Sequence, residues 1–581
     1  MTPDNIFVVC YGACEKFVGL TGGVMKEPGP DEPVARPLPS PSISSERFWT
    51  SGADGRLRIA QCQGCRRYHH PPQPICPACR CAEVTMTPVS GHATVAGFTV
   101  NHQQWLPKFP PPYVVAVVAL AEDPSTRLTT NIVGCDPGDV AIGMQVRVVF
   151  EQHDEVWIPL FEPDPEASGA GQVPGPRDLT SAVRPMVSTS KFEDKVALTG
   201  VGSSTIGRRL MVDPLSLTVT ACLRAVEDAG LTLADIDGLA TYPGGSVGGM
   251  SEGGVTALEE ALRIQPTWIS GGGEVPGPSG SVVSAMLAVA AGLCRHVLCF
   301  RTVWESTHTT LARAATSRSG GSRGASGMFE WRAPFGAMSA ANWIGINASH
   351  YFWRYGGDRA STLAPIALTA RANAARNPAA IYRDPLTLDD YLSARMISSP
   401  FGLYDCDVPC DGAIAVVVSS IDTAFDRPKS PVLVEAVGTQ VIDRISWDQD
   451  TLTHEPQVFG PAAHLWTRTS LRPDDVDVAE LYDGFTFNAV SWLEALGFCG
   501  LGEAADFLDG GTTIALDGKL PLNTHGGQLS AGRTHGFGFL AEAIAQLRGE
   551  AANRQVADAQ VAVVTTGGGT PGGALLLRRG D

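Results

Sequence analysis

The chain has 581 residues, 44% apolar and 18% charged, with a formal net charge of −17. That length exceeds a single hydrophobic core and predicts two or three domains, and the acidic balance argues against non-specific nucleic-acid binding. No window of about 20 residues is apolar enough to span a membrane, and most of the fourteen cysteines are scattered as in a reducing cytoplasm, so a cytoplasmic protein is expected.

Residues 1–45 read as a disordered leader. Asp4, Glu15 and Lys16 interrupt the apolar run a signal peptide needs, and Glu27 to Ser45 is rich in Pro, Ser and acids. Cys10 and Cys14 lack neighbouring ligands and read as ordinary thiols. The pattern sharpens at Cys62-Gln-Gly-Cys65 and, ten residues further on, Cys76-Pro-Ala-Cys79. Two CxxC knuckles at this spacing put four thiolates within tetrahedral reach of one ion, the demand of structural zinc. Cys62, Cys65, Cys76 and Cys79 are thus the expected ligands, and Cys81 is a spare.

Four strand-like runs follow, His92–Val100, Tyr113–Leu120, Leu128–Val133 and Val146–Glu151, divided by turns rich in Asp, Pro and Gly. Short strands at this spacing predict a small barrel. A zinc ribbon ahead of such a barrel resembles the DUF35 family, in which a rubredoxin-like ribbon precedes an OB-fold. The matching residues are Glu46-Arg-Phe-Trp49, the four cysteines, Pro71-Pro72, Gly134-Cys-Asp-Pro137, Gly143-Met144 and Pro159-Leu-Phe161, and the match covers about 46–163. An OB-fold can bind single-stranded nucleic acid, but these strands lack a basic stripe with interleaved aromatics. The resemblance implies instead an accessory module that handles acyl-CoA.

Residues 164–192 read as a Gly/Pro linker. The second domain, 193–581, alternates strands and helices. Lys195 to Gly202 is a strand running into a turn, Pro214 to Ala229 a helix with Leu217, Ala221, Cys222 and Val226 on its apolar face, and Ile236–Tyr242 a strand again. Ser281–Leu293 is apolar almost all round and predicts a buried central helix. Asp411–Val418 and Val432–Gly438 restart the pattern, so two related halves are expected, about 193–428 and 429–581. The fold class is therefore layered α/β, preceded by the ribbon and barrel. An insertion at about 303–405 carries Trp331, Trp343, Tyr351, Trp353 and Tyr355. It reads either as cover for a large apolar substrate or as ordinary aromatic core.

Asn523 to Gly538 is a glycine-rich loop with two histidines and an arginine. It leads into Phe537, Leu540, Ile544 and Leu547 at helical spacing. A glycine loop entering a helix offers free backbone N–H groups to an oxyanion. Its companions are Glu480-Leu-Tyr-Asp-Gly-Phe-Thr486 and Thr565 to Gly573. With Ser398-Ser399-Pro400, Tyr404-Asp-Cys406 and Cys410-Asp-Gly-Ala413, these motifs make residues 193–581 resemble the thiolase superfamily, in its lipid-transfer-protein branch. The resemblance implies the thiolase fold in layers αβαβα, a CoA thioester as substrate and a homodimer.

The family's catalytic set is altered. Gly277 stands where the nucleophilic cysteine is expected, Thr565 at the second cysteine, Arg533 at the Gly-His-Pro histidine and Tyr482 at the Asn of Asn-Glu-Ala-Phe. Condensation through an acyl-cysteine is thereby excluded. One branch resembles this pattern: steroid side-chain aldolases, which work with a DUF35 partner and carry tyrosine at the position of Tyr482. Their second tyrosine aligns with Arg533, a departure that leaves its role to His535. The reading is an acyl-CoA aldolase that cleaves a bulky, steroid-sized β-hydroxyacyl-CoA to a ketone or aldehyde and a short acyl-CoA. A cysteine-free acyltransferase and a non-catalytic acyl-CoA scaffold for a hydratase are the alternatives. Tyr482, His535, Arg533 and His525 are the expected catalytic residues; Asp483, Asn523, Gly526, Gly527, Gly568, Gly569 and Ser279 are expected to bind substrate. Expected partners are the acyl-CoA, a second copy of the chain and an enoyl-CoA hydratase, with no nucleic acid.

Overall fold

The computed structural model describes residues 36–581 except 107, 174, 176–182, 246, 252, 272–279, 316–323, 443–451, 453–454, 568–571 and 581. The roles expected of Ser279, Gly568 and Gly569, the substituted position Gly277, and Cys10 and Cys14 fall outside the described residues.

Strand β1 (Arg58–Cys62) is the centre of a three-stranded antiparallel sheet with β2 (Tyr68–His69) and β3 (Val84–Pro88). The barrel follows as β4 (His92–Asn101), β5 (Tyr113–Leu120), β6 (Arg127–Thr130), β7 (Gln145–His153) and β8 (Val156–Pro163). Alternate residues such as Val114, Ala116 and Val118 point into one core with Ile158 and Phe161. A bridge between Ile132 and Phe161 brings β8 against the far side. The sequence pattern supplied four of these strands. It missed β8 because Pro159 reads as a breaker, yet Pro159 pairs opposite Phe150, as proline can when its missing N–H faces away from the ladder.

The large domain is organised on a nine-stranded sheet. Its strands are β9 (Val196–Ser203), β10 (Gly238–Thr241), β11 (Trp268–Gly271), β12 (His296–Trp304), then, after the short hairpin β13 (Met396–Ser398) and β14 (Phe401–Gly402), β15 (Asp411–Ser420), β16 (Val432–Gly438), β17 (Val478–Glu480), β18 (Val561–Thr566) and β19 (Gly573–Arg579). From the centre outwards one half runs β9, β15, β12, β10, β11 and the other β16, β19, β18, β17. In both, the first two pairings are antiparallel and the third is parallel. The halves meet where Leu433 of β16 faces Ala197 of β9. The same topology used twice is the repeat that the restarted strand pattern implied.

Helix α1 (Pro214–Asp228) begins at Asp213, whose carboxylate accepts the N–H of Ser216 at 2.9 Å. Such a cap contributes about 1 kcal/mol. Its buried face holds Leu217, Ala221, Cys222 and Val226. Helix α2 (Gly280–Ala290) is buried along most of its length, through Val282, Ala285, Met286 and Val289. Then come α3 (Glu305–Ala315), α4 (Ala340–Tyr355), α5 (Thr486–Ala495) and α6 (Phe537–Arg548). Gly536 and Gly549, both with positive φ, bound α6, and a left-handed residue ends a helix with least strain when it is glycine.

The N-terminal module does not swing free of the large domain. Strand β13 pairs with β4, Ser398 opposite Asn101, so the barrel sheet continues into the large domain and counts seven strands. Asn342 of α4 donates to both Asn101 Oδ1 and Ser398 Oγ at 3.0 Å. Trp331 stacks on Trp49 at 5.3 Å, and the Trp49 indole donates to Glu330 at 2.7 Å. The aromatic insertion is therefore docking surface and core among its named residues. Tyr351 donates to Glu494 at 2.6 Å and packs on Phe487, while Trp343 lies under Arg332.

The expectation of disorder through Ser45 fails from Arg36 onward. The Arg36 guanidinium pairs with Glu151 at 2.9 Å, and donates to Asn131 Oδ1 at 2.7 Å and to the Pro334 carbonyl at 2.8 Å. Composition alone hides this, because one arginine with five donors can fasten a Pro-rich segment that has no apolar pattern.

Candidate active site

The ribbon brings its cysteines together. Cys62 and Cys79 Sγ lie 3.6 Å apart, as do those of Cys65 and Cys76, and all four ligand atoms fall within 4.8 Å of one another. A tetrahedron of sulfurs about 2.3 Å from zinc has edges of about 3.8 Å, so the donor set fits a metal. The N–H of Cys65 reaches Cys62 Sγ at 3.4 Å and helps pull that thiol down to about 6.

The second site lies at the carboxyl ends of β12, β17 and β18. Tyr482 follows β17 and is buried. Four bonds fix its stretch of backbone. The Tyr482 N–H donates to Thr565 Oγ1 at 2.9 Å. Asn523 accepts from the N–H of Leu481 at 2.7 Å and donates to its carbonyl at 2.9 Å, and the Gly484 carbonyl accepts from Asp407 N–H at 3.1 Å. Thr565, where the second family cysteine was expected, is thus an anchor for the tyrosine's loop. Asn523 and Asp483, expected to touch substrate, hold each other through Asn523 Nδ2 and Asp483 Oδ2 at 3.0 Å. The other Asp483 oxygen accepts the N–H of Gln528 at 2.7 Å. Gly527 must be glycine: its φ is +58°, and a Cβ there would stand 1.9 Å from Asp483 Oδ2.

Arg533 reaches the same place from the glycine loop. Its Nε donates to Glu305 Oε2 at 2.9 Å, its Nη2 to the same oxygen, and its Nη1 to Asp407 Oδ1 at 3.2 Å. All three side chains are buried. Burial lowers the guanidinium's pKa, but Asp407 and Glu305 more than reverse that and the net shift is upward. Burial raises Glu305, yet Arg533 and His535 together take it down to about 2. Asp407 is pushed by burial up to about 7 in spite of Arg533, and Asp483 likewise reaches about 7. Arg533 feels Tyr482 as well, but as one member of a matched charge group, not as a free cation.

His535, with φ of +50°, sits on the same carboxylate, its Nε2 3.3 Å from Glu305 Oε1. Burial and then Arg301 lower it to about 4, so it is a neutral imidazole at pH 7. An ionised carboxylate only accepts, which assigns the proton to Nε2 and leaves Nδ1 as acceptor. His525 differs. Its Nδ1 is 3.0 Å from Glu480 Oε2; burial lowers its pKa, but Glu480 outweighs that and the net shift is upward. Glu480 also takes the N–H and hydroxyl of Thr524 at 2.9 and 2.8 Å.

The structure therefore brings Arg533 and His535 together on Glu305, holds the buried Tyr482 by its backbone on Thr565, and places His525 in a neighbouring network on Glu480, with Phe539 packed against both Tyr482 and His525. It adds Glu305, Asp407 and Gln528, which the sequence reading did not name. Glu305 lies 228 residues from Arg533, at the start of α3. The one available signal was a carboxylate directly after a strand of an α/β sheet.

This is a thiolase-like two-half fold carrying a metal-binding ribbon and OB barrel on the same polypeptide. Residues 444–575 match the thiolase C-terminal domain-like family, 86–151 the ChsH2 C-terminal OB-fold domain, and 49–84 the ChsH2 rubredoxin-like zinc ribbon domain. The chain is 33% identical over 386 residues, 66% of its length and 97% of the relative's, to a steroid side-chain-cleaving aldolase of Thermomonospora curvata. It is also 33% identical over 395 residues, 66% of its length and 99% of the relative's, to the 17-hydroxy-3-oxo-4-pregnene-20-carboxyl-CoA lyase of Mycobacterium tuberculosis. Among solved structures, an Ltp2-ChsH2(DUF35) aldolase superposes with a TM-score of 0.59 at 31% identity, covering 67% of this chain and 99% of that one. The chain belongs to this aldolase family, carbon–carbon lyases of the thiolase superfamily that act on CoA thioesters.

Proposed function

We propose that the chain cleaves the Cα–Cβ bond of a β-hydroxyacyl-CoA whose β carbon belongs to a bulky, steroid-like skeleton. The products are a ketone or aldehyde and a shortened acyl-CoA. The steroid class is supported by the two relatives, a steroid side-chain-cleaving aldolase and a pregnene-carboxyl-CoA lyase. The observation that carries the reading is the Tyr482 loop: a buried tyrosine fastened by Thr565, the residue at a cysteine position of thiolases.

In the reaction the β-hydroxyl gives up its proton, its C–O bond becomes a carbonyl, and the Cα–Cβ pair moves into an enolate on the thioester, which is then protonated at Cα. Tyr482 acts as the phenolate: it takes the hydroxyl proton and, as the phenol, gives a proton back at Cα. Neutral His535 offers Nδ1 as acceptor. The Arg533–Glu305–Asp407 group keeps Tyr482 and His535 in place and is positioning machinery. His525, paired with Glu480, supports the base of the glycine loop, and Gly527 lets that loop pass close to Asp483 while Gly526 lets it pass close to Ala374. The metal of the ribbon is zinc in this reading, structural because four sulfurs leave no open position.

A homodimer is part of the proposal, supported by β11 at the free edge of the sheet with Ile269 exposed. So is a hydratase partner, since adding water to an unsaturated thioester makes the β-hydroxyacyl substrate. No helix among the described residues is long and apolar enough to cross a membrane. None of the twelve cysteines among the described residues forms a disulfide, which supports a reducing compartment.

The test is mass analysis after incubation with a panel of β-hydroxyacyl-CoAs, alongside intact mass of the protein. A carbonyl product with a shortened acyl-CoA and an unmodified chain is expected. Product that forms only with added free CoA, or an acyl adduct on the protein, moves the assignment to a transferase. Thioester returned unchanged across the panel moves it to a scaffold.

A further inference from the structure

An enolate needs hydrogen-bond donors, and His535 does not provide one, because its proton faces Glu305 and Nδ1 is an acceptor. Two other buried side chains carry donors without an acceptor among the described residues. Gln528 is 1% exposed, and its Oε1 accepts the N–H of His535 at 2.9 Å. That backbone group can only donate, so the carboxamide cannot be turned round, and Nε2 remains buried with no hydrogen-bond partner among the described residues. Arg301 is also 1% exposed, on β12 four residues before Glu305. Its Nη1 donates to the Tyr242 carbonyl and its guanidinium lies 4.9 Å from the Tyr242 ring. Among the described residues its Nε and Nη2 are buried without partners. Alternation along β12 puts it on the side of Val297 and Cys299, which share a core with α2, and its charge bears on His535.

A buried donor left unpaired costs about 1–3 kcal/mol, and more when it is charged. Most buried side-chain polar atoms in folded proteins have a partner. Two side chains with unsatisfied donors, one holding the N–H of His535 and one whose charge bears on that histidine, are a surplus that an anionic oxygen would satisfy. Such groups, fixed before the reaction, stabilise charge that develops only in the transition state.

We propose that Gln528 Nε2 and the Arg301 guanidinium together hold the thioester oxygen of the substrate as it becomes the enolate. The assignment rests on the aldolase reading. No bond to the protein forms. The electron pair of the broken Cα–Cβ bond passes to the thioester oxygen, is held there by the two donors, and returns to Cα when that carbon takes a proton.

The experiment measures enolate formation apart from carbon–carbon cleavage. Wild-type protein and variants are incubated in D2O with acetyl-CoA or propionyl-CoA, and deuterium uptake at Cα is read by mass. Cleavage of a β-hydroxyacyl-CoA is followed in parallel. Gln528→Glu keeps the acceptor for His535 N–H and replaces only the donor. Exchange and kcat should each fall about 10²–10³-fold, with KM and the unfolding midpoint little changed, and activity should recover as pH falls and the new carboxyl becomes a donor. Arg301→Met should cause a loss of the same size, and Arg301→Lys, which keeps charge but not the two unpaired N–H groups, should stay slow. If Arg301→Met does not fold, the lysine variant and Gln528→Glu decide the matter. Variants that exchange and cleave at the wild-type rate overturn the donor assignment alone. A wild type that neither exchanges nor cleaves overturns the aldolase reading as well.

Discussion

Replacing Glu305 by glutamine is the sharpest test of the charge group beneath the site. The variant keeps the side chain's shape and removes one negative charge. Three contacts end on that carboxylate: Arg533 Nε at 2.9 Å, Arg533 Nη2, and His535 Nε2 at 3.3 Å. Losing one partner of a buried pair usually costs about 3–5 kcal/mol, because a charge is left uncompensated. Here Asp407 stays 3.2 Å from Arg533 Nη1 and can take over. Its carboxyl is held near 7 first by burial, and Glu305 is among the charges that add to this. With Glu305 neutral, Asp407 should ionise at lower pH and recover part of the loss, so the expected cost is near the low end, about 3 kcal/mol.

The sign with pH follows. In the wild type the folded pKa of Asp407 lies above its unfolded value of about 3.9. Its stabilising contribution is complete below that value and is lost as pH rises to about 7. In Glu305→Gln the folded value moves down and this loss shrinks. Urea unfolding at pH 5 and pH 8 should therefore show a larger deficit for the variant at pH 5. A deficit under about 1 kcal/mol, or one equal at both pH values, would refute the view that Arg533 is held mainly by Glu305 with Asp407 in reserve.

Tyr482→Phe should slow cleavage about 10²–10⁴-fold with an unchanged unfolding midpoint; steady-state kinetics at wild-type rate would rule out the tyrosine as base. Metal analysis should find one zinc per chain, lost in Cys62→Ser/Cys76→Ser, and a metal-free wild type with unaltered folding would count against the ribbon assignment. Trp331→Ala should loosen the module, at about 1–3 kcal/mol because the indole is only partly buried, and should speed protease cleavage within residues 164–192; an unchanged cleavage rate would mean that the shared sheet alone holds the module.

What could be read from the sequence followed physical range. The ribbon was legible because its four ligands lie within 18 residues in a fixed spacing, and the two halves because strand and helix periods differ. Tyr482 and the histidine loop were legible as motifs. The partners of Arg533 were not, since Glu305 and Asp407 lie 228 and 126 residues away and a lone carboxylate carries no pattern. Gln528 was passed over for a related reason: a glutamine among glycines looks like solvent-facing loop until its neighbours bury it. The insertion's aromatics gave two readings, substrate cover or core, and Trp331 stacked on Trp49 adds a third that composition could not suggest, a docking contact for the N-terminal module.

The strand pairing between Asn101 and Ser398 also bears on how the gene product can be handled and divided. A large domain produced alone would leave the outer side of β13 without its neighbour, and bare sheet edges invite association with other chains. The neighbouring hairpin strand ends at Gly402, whose N–H donates to Asp405 at 2.7 Å, and Asp405 in turn accepts from Thr486 at 2.8 Å, at the start of α5 just beyond the Tyr482 loop. Removing the module would thus disturb solubility and the scaffold of the active site together. Because both parts share one polypeptide, their association is intramolecular, and dilution should not separate the module from the large domain as it would separate a complex of two subunits.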